Sequence, residues 1–306
     1  MYTFITNLNA RSGLGIQLWK ELEDILKEQK IDYEVYFTKY QKHATDITAS
    51  ITADHKPHTL VVLGGDGTIN EVVNGIADLS KVTLGYIPIG SSNDFSRGMH
   101  LPTDPREALN NILKSKHYKE LNIGLLSYEE KKQRFIVSTG IGFDAGVCHQ
   151  VMVSPLKRFL NKLKLGKLSY VGVALQMLFS MRLDKMTVTM DGQTPLTFEK
   201  VYFATAMNLP YEGGGFKFCP DADCTDDKLD IIVVSGLPKL KVLALLPTAF
   251  KGWHTRFRGI HIYSCKKVDI ISTLAHPVHT DGEPVLKQTH ISVCLEPEKL
   301  RVITNS

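Results

Sequence analysis

The sequence predicts an α/β fold: an N-terminal doubly wound parallel-sheet domain followed by a C-terminal β-rich sandwich domain. Three observations carry that prediction. Over residues 2–114, apolar runs alternate with amphipathic segments, the pattern of strands each followed by a covering helix. Polar, glycine-containing turns follow the runs that end near residues 8, 63 and 87. In a parallel sheet such turns gather on one edge, beyond the C-terminal ends of the strands. Past about residue 123, short apolar runs separated by turns take over. A length of 306 residues suits two domains of ordinary size.

Residues 2–8 read as the first strand, which runs into a turn at Asn9-Ala10-Arg11-Ser12-Gly13. A helix follows, with a wide apolar face through Ile16, Leu18, Trp19, Leu22 and Ile25. Tyr33–Phe37 reads as a strand ending at Thr38, and His43 to Ile51 as a short helix. The apolar run Thr59–Leu63 reads as a buried strand. It feeds Gly64-Gly65-Asp66-Gly67-Thr68, and the apolar-periodic stretch from Ile69 to Ile76 reads as a helix. Thr83–Ile87 is the next strand, ending at Pro88-Ile89-Gly90-Ser91-Ser92-Asn93-Asp94-Phe95. Asp104 and Pro105 open a helix to Lys114 with good N-terminal chemistry. In the second half Phe135–Thr139, Met186–Met190, Val201–Met207, Leu229–Ser235, Lys267–Ser272 and His290–Cys294 read as strands, and Lys157–Phe179 and Leu237–Lys251 as helices. The first domain is expected over 1–123 and the second over 124–295. The apolar Leu300–Ile303, within the tail 296–306, is expected to dock back on the first domain.

Composition narrows the class. Hydrophobic content of 43% and charged content of 22% allow a packed core. A net charge of +4 is mildly basic, short of a nucleic-acid-binding signature, and suits a protein that handles anions or meets an anionic membrane surface. Five cysteines with no C-x-x-C pair argue against disulfides and structural zinc and for a reducing cytosol. The N-terminus has no signal-peptide pattern and no run is long enough to span a bilayer, so a cytoplasmic protein is expected. Eleven histidines form no metal-ligating motif, so zinc hydrolysis has no support.

Six stretches could carry chemistry or contacts. A strand feeding Gly64-Gly65-Asp66-Gly67 at a helix N-terminus suits a phosphate. Missing side chains let backbone N–H groups approach the anion, and the helix dipole favours negative charge. The Gly-Lys-Ser/Thr ending and the G-x-G-x-x-G spacing are both absent, so neither common nucleotide loop is present. On the same edge, Ser91 or Asn93 could touch a nucleotide and Asp94 a magnesium ion or its water shell; capping of the next helix is the plainer reading. His279-Thr280-Asp281-Gly282-Glu283-Pro284 contains a hairpin signal, yet it also offers one carboxylate to take a proton and another to hold a metal. Five aspartates between Asp221 and Asp230 suit a hard cation or form a solvated acidic loop. Beside them, Gly213-Gly214-Gly215 suggests a mobile lid or a close backbone approach. Residues 154–168 interleave lysines and leucines, as in an amphipathic surface helix or a membrane-surface contact at Lys157, Arg158, Lys162 and Lys164.

The string from Gly64 to Gly75, GGDGTINEVVNG, resembles the signature of the diacylglycerol kinase catalytic-domain family, which includes bacterial lipid kinases and sphingosine kinases and is distantly similar to NAD kinases. Asn9–Gly13 resembles the family's first nucleotide turn, with Ala10 in place of a proline. Pro88 to Phe95 resembles its second, and Asp281-Gly282-Glu283 its late D-G-E. The resemblance covers the whole chain. It implies an NAD kinase-like first domain, a β-rich second domain and an active site in the cleft between them. It also implies an ATP- and Mg²⁺-dependent kinase of a diacylglycerol-like lipid, peripheral at the inner face of the membrane. Asn9, Ala10, Arg11, Ser12, Gly13, Thr38, Gly64, Gly65, Asp66, Gly67, Thr68, Asn70, Glu71, Ser91 and Asn93 would bind ATP. Glu283 would accept the proton, with Asp281 beside it on the metal side. Asp94 and Asp66 would support the catalytic magnesium. A structural magnesium is expected on Asp226 and the backbone carbonyls of Asp223 and Lys228. Two positions depart from the family pattern: Asn122 stands for an aspartate, and Asp227 for a glycine of the acidic loop. An NAD kinase-like activity on a soluble substrate and a weakly catalytic nucleotide- or lipid-binding protein are the alternatives. No nucleic-acid partner is expected, and a homodimer stays open.

Overall fold

The computed structural model describes residues 1–114, 116–146 and 175–305. The Lys157–Lys164 basic stretch and most of the helix expected over Lys157–Phe179 lie outside the described residues. Two sheets organise the rest. The first has six strands in the order β2-β1-β3-β4-β15-β5: β1 Tyr2–Thr6, β2 Tyr33–Phe37, β3 His58–Gly64, β4 Val82–Pro88, β5 Tyr118–Leu121 and β15 Leu300–Ile303. All neighbours are parallel except β5, which runs antiparallel to β15. Helices α1 Ala10–Glu28, α2 His43–Thr52, α3 Asp66–Gly75, α4 Asp94–Gly98 and α5 Pro105–Lys114 connect these strands. β3 is buried on both faces through Leu60–Leu63, as a central parallel strand requires. One face packs on Leu22, Trp19 and Leu109 through Val61 and Leu63. The other packs on α2 and α3 through Leu60 and Val62.

The tail strand β15 fills the gap between β4 and β5. It pairs Arg301 with Thr83 and Leu300 with Leu121, and buries Leu300 and Val302.

The second sheet has nine strands, in the order β12-β11-β10-β8-β13-β14-β6-β7, with β9 Asp184–Met190 pairing β10 and β13. Its strands are β6 Gly124–Tyr128, β7 Lys131–Phe135, β8 Ser138–Gly142, β10 Leu196–Met207, β11 Leu229–Ser235, β12 Ile260–Cys265, β13 Lys267–Thr280 and β14 Glu283–Leu295. The sheet curls so that alternate residues such as Leu126, Ile141, Val188, Ala204, Ile231 and Val293 share one core. Helix α6 Lys239–Ala249 and a 3-10 turn at Trp253–Arg256 follow β11.

Arg134, at the end of β7, fastens the two halves. Its Nη1 donates to the carbonyls of Val73 at 3.2 Å and Ile76 at 2.6 Å, which are orphan acceptors at the C-terminus of α3. Its Nε pairs with Glu296 at 2.6 Å. Asn74 of α3 bonds both the N–H and the carbonyl of Arg134, at 2.8 and 3.0 Å. The helix that carries the glycine turn is thereby set against the second sheet.

Candidate active site

The wall nearest the first sheet is made of two crossing turns. Gly64–Gly67 leaves β3 and opens α3, while Gly90–Asn93 leaves β4 and opens α4. Their glycines touch: a Cβ on Gly65 would meet the Gly90 Cα at 3.1 Å, and one on Gly90 would meet the Gly65 Cα at 2.6 Å. Neither turn tolerates a side chain there. Asp66, the first residue of α3, accepts the Phe95 N–H at 3.1 Å and so ties the two helix starts together.

Across the cleft stands the β13–β14 hairpin. Asp281 and Gly282 form its two-residue turn, with φ of 49° and 80°, between Thr280 and its partner Glu283. These are the left-handed conformations that an Asp-Gly hairpin supplies. The turn aims Glu283 at the glycine wall, and a Cβ on Gly67 would stand 2.6 Å from Glu283 Oε1. Residues 216 positions apart in the chain thus face each other across the interdomain cleft.

Asp281 points the other way. Its carboxylate accepts four hydrogen bonds: from the N–H groups of Ile136, Val137 and Ser138 at 2.8–3.0 Å, and from Asn70 Nδ2 at 2.8 Å. A carboxylate has about four lone-pair sites, so Asp281 has none left for a metal. It anchors the hairpin turn and, through Asn70, holds it against α3. Burial pushes its carboxyl up, opposed by these same hydrogen bonds.

Two other acids are suited to a cation. Burial and then the neighbouring Asp94 push the Asp66 carboxyl up to about 6. Burial also raises Asp94. Asp94 Oδ2 accepts the Gly214 N–H at 2.8 Å, but its buried Oδ1 accepts no hydrogen bond, and Arg97 stands 3.9 Å off. Two enclosed neighbouring carboxylates, one with an unbonded oxygen on Asp94, suit a hard divalent ion such as Mg²⁺.

The remaining expected nucleotide residues take mixed positions. Asn9–Gly13 is not a free turn. α1 already begins at Ala10, and only Gly13, at φ 95°, departs to the left-handed region. Helical N–H groups therefore lie where a loop is expected. Asn7 Nδ2 donates to Thr68 Oγ1 at 3.2 Å and links this start to the glycine turn. Thr38 closes β2 with its N–H on the Thr6 carbonyl. Ser91 is exposed at the cleft rim, and Asn93 takes φ 52° at the start of α4 with a buried, unbonded Oδ1. Glu71 faces elsewhere: it accepts the Lys42 and Ala44 N–H groups at 2.8 and 3.2 Å and caps α2.

The acidic loop lies apart from the cleft. Asp223 Oδ1 accepts from Thr225 and Asp226 Oδ1 from the Lys228 N–H, both within the loop. Asp227 sits at φ 64°, the conformation a glycine favours. Its Oδ1 pairs with Lys299 Nζ at 2.6 Å and accepts Asn122 Nδ2 at 2.9 Å, and its N–H returns to Asn122 Oδ1 at 3.0 Å. Lys299 also donates to the Thr225 carbonyl at 3.2 Å. An ammonium thus serves the loop, and Asn122 pairs with the loop as both donor and acceptor. Of the expected metal set of Asp223, Asp226 and Lys228, the Asp226 carboxylate is exposed and already bonded to the Lys228 N–H, and the nearby positive charge is that of Lys299.

A cluster that sequence reading does not single out lies beneath the hairpin. His279 Nε2 is 3.3 Å from Asp144 Oδ2 and 3.4 Å from Glu212 Oε1, all three buried. Asp144 also accepts from Thr205 Oγ1 and the Ala145 N–H. On its other side, His279 Nδ1 accepts the Gly282 N–H at 3.2 Å. That bond assigns the tautomer: Nδ1 holds a lone pair and Nε2 carries the hydrogen. Burial lowers the ring's proton affinity, but Glu212 and Asp144 more than offset it, to about 9. Burial raises Glu212 to about 7. The shared proton can rest on the ring or on Glu212, and the Gly282 N–H favours Glu212. Three residues spread over chain positions 144 to 279 left no spacing to read.

A two-domain cleft, with a glycine wall on the first domain facing an acid on the second, is the architecture of a kinase. The comparisons agree. Residues 1–125 match the diacylglycerol kinase catalytic domain and residues 137–304 the YegS C-terminal NAD kinase beta sandwich-like domain. YtlR of Bacillus subtilis, which carries the name of a lipid kinase, is 31% identical over 98% of both chains. A diacylglycerol kinase of Staphylococcus carnosus is 30% identical, covering 88% of this chain and 85% of its own. A Bacillus anthracis crystal structure named for a diacylglycerol kinase superposes with a TM-score of 0.78 at 27% identity, covering 99% and 95%. An ATP complex of an NAD kinase from Archaeoglobus fulgidus shares the fold, with a TM-score of 0.54 at 11% identity. The chain belongs to the diacylglycerol kinase catalytic-domain family, and it is a kinase.

Proposed function

We propose that this kinase transfers the γ-phosphoryl group of ATP to the hydroxyl of a diacylglycerol-like lipid, with Mg²⁺, at the inner surface of the membrane. The observation that carries the reading is the approach of Glu283 Oε1 to Gly67, which puts a carboxylate beside the phosphate-binding turn. The first-turn N–H groups of α3 and the bare backbone of Gly64–Gly67 bind the phosphates. Asp66 and Asp94 would hold a magnesium ion, which would supply positive charge to offset that of the phosphates. Glu283 takes the proton of the lipid hydroxyl as that oxygen bonds to the γ-phosphorus and ADP leaves with the bridging oxygen. Asp281 and His279 position Glu283 rather than react. The relatives' names supply the lipid class.

The test is transfer of radiolabel from γ-labelled ATP to a panel of lipids and to NAD, with and without Mg²⁺. Phosphatidic acid formed from diacylglycerol only with Mg²⁺ supports the reading. Label on NAD and none on lipid refutes it.

A further inference from the structure

Among the described residues no helix is long and apolar enough to cross a membrane, and a lipid kinase can meet its substrate at a bilayer surface. One face of the second domain has the required composition. Between Asp230 and Ile260, the stretch that holds α6 and the turn after it, the sequence has five Lys or Arg and no Asp or Glu. Helix α6 is apolar on both sides. Val242, Leu245 and Ala249 face the core, while Leu240, Ala244 and Pro247 are exposed at helical spacing on the opposite side. A surface helix normally has a polar outer face.

The chain then turns and presents Phe250, Trp253 and Phe257, which are 52%, 49% and 40% exposed, beyond Leu240 at 70%. Lys251 Nζ lies 4.7 Å over the Trp253 ring, and Arg256 and Arg258 are exposed beside Phe257. Exposed aromatic and aliphatic side chains ringed by cations fit the boundary between lipid tails and anionic head groups.

We propose that α6 and the turn at residues 250–258 form the face by which the protein docks on an anionic bilayer. The inference rests on the lipid-kinase reading. Charge decides the occupant. A second copy docking face to face would oppose like charges, whereas an anionic leaflet complements them. Geometry ties the face to the cleft. Phe250 stacks on Phe216 at 4.2 Å, and Phe216 closes the bridge with Glu212, which reaches His279. Within that bridge Gly214 donates to Asp94. A bilayer against Phe250 is thus two residues from the acids of the cleft.

The experiment measures partition of the full chain onto sedimented vesicles of phosphatidylcholine with or without phosphatidylglycerol. Two triple variants are compared, L240S/W253S/F257S and K251E/R256E/R258E, all outside the catalytic machinery; Phe250 is spared because it packs on Phe216. Phosphorylation of a short-chain diacylglycerol dispersed below its micelle concentration reports the cleft separately. At about 1 kcal/mol per basic residue, the charge variant should lose at least about tenfold in affinity for the mixed vesicles. The apolar variant should lose a similar factor on both vesicle types. Activity on the dispersed lipid should stay at the wild-type level. Wild-type partition by both variants overturns the docking face while leaving the kinase standing. So does a lost dimer with unchanged vesicle binding, which makes a second copy the occupant. Vesicle binding as expected, with no phosphoryl transfer by any form, overturns the kinase reading and leaves the face.

Discussion

The cleft and the acidic loop both gather carboxylates, under opposite conditions. In the cleft, Asp66 and Asp94 are enclosed, raised by burial, and Asp94 keeps an oxygen with no hydrogen bond. In the loop, Asp223 and Asp226 lie in solvent, bonded to their own backbone, with Lys299 supplying the positive charge through Asp227. The loop is the denser acidic stretch in the sequence. The cleft is the stronger candidate for a cation, because an enclosed acid with an unbonded oxygen gains more from one than solvated, paired acids do.

The largest structural effect expected of a single change is at Asp281. Asp281→Ala leaves four buried donors without an acceptor and should cost about 3–5 kcal/mol in urea unfolding. Asp226→Ala, in solvent, should stay within about 0.5 kcal/mol. Equal costs would break the contrast between the two regions.

Asp66 gives the contrast a pH signature. Its folded pKa of about 6 exceeds its ordinary 3.8, so the folded state holds that proton more tightly than the unfolded chain does. The metal-free protein should therefore lose stability as pH rises from about 4 to about 6, by at most about 3 kcal/mol from this group. Asp66→Asn should flatten that slope in EDTA-treated protein, followed by thermal unfolding.

His279 separates positioning from packing. Asn at 279 can reproduce the acceptor at Nδ1 for the Gly282 N–H, whereas Gln can reproduce only the donor at Nε2. His279→Asn should keep kcat at least about tenfold above His279→Gln, with similar KM, since a misplaced base affects the chemical step. The reverse order would mean that the ring serves Asp144 and Glu212 alone. The smallest effect is in the loop. Lys299→Met should cost about 1 kcal/mol and add to the unfolding midpoint's response to Mg²⁺, beyond the response that the cleft acids give the wild type.

Much of the fold is legible in the sequence because its strands are apolar on both faces or flanked by turn residues. Tyr33–Phe37, Pro105–Lys114 and Leu229–Ser235 have the boundaries that periodicity assigns them. Strand β7 does not, because Lys131-Lys132-Gln133-Arg134 reads as a loop; its worth lies in backbone pairing and in the grip of Arg134 on α3. The sequence reads Asn9–Gly13 as a turn because Asn9, Ser12 and Gly13 are turn residues, whereas α1 begins at Ala10. Gly15 is required by the approach of the Asn7 carbonyl, 2.6 Å from where its Cβ would be. In the site, the glycine wall and the D-G-E hairpin are visible as local strings. The partners of Asp281, the capping role of Glu71 and the His279 cluster come from residues distant in sequence, which spacing alone does not join.

The central claim is that Glu283 performs proton transfer against the glycine wall, and one measurement addresses it most directly. Single-turnover phosphorylation of diacylglycerol with saturating ATP and Mg²⁺ is compared for wild type and Glu283→Gln, which keeps the shape and removes the base. The account predicts a rate lower by about 10²–10⁴-fold with nucleotide affinity retained. An unchanged rate in Glu283→Gln would contradict it.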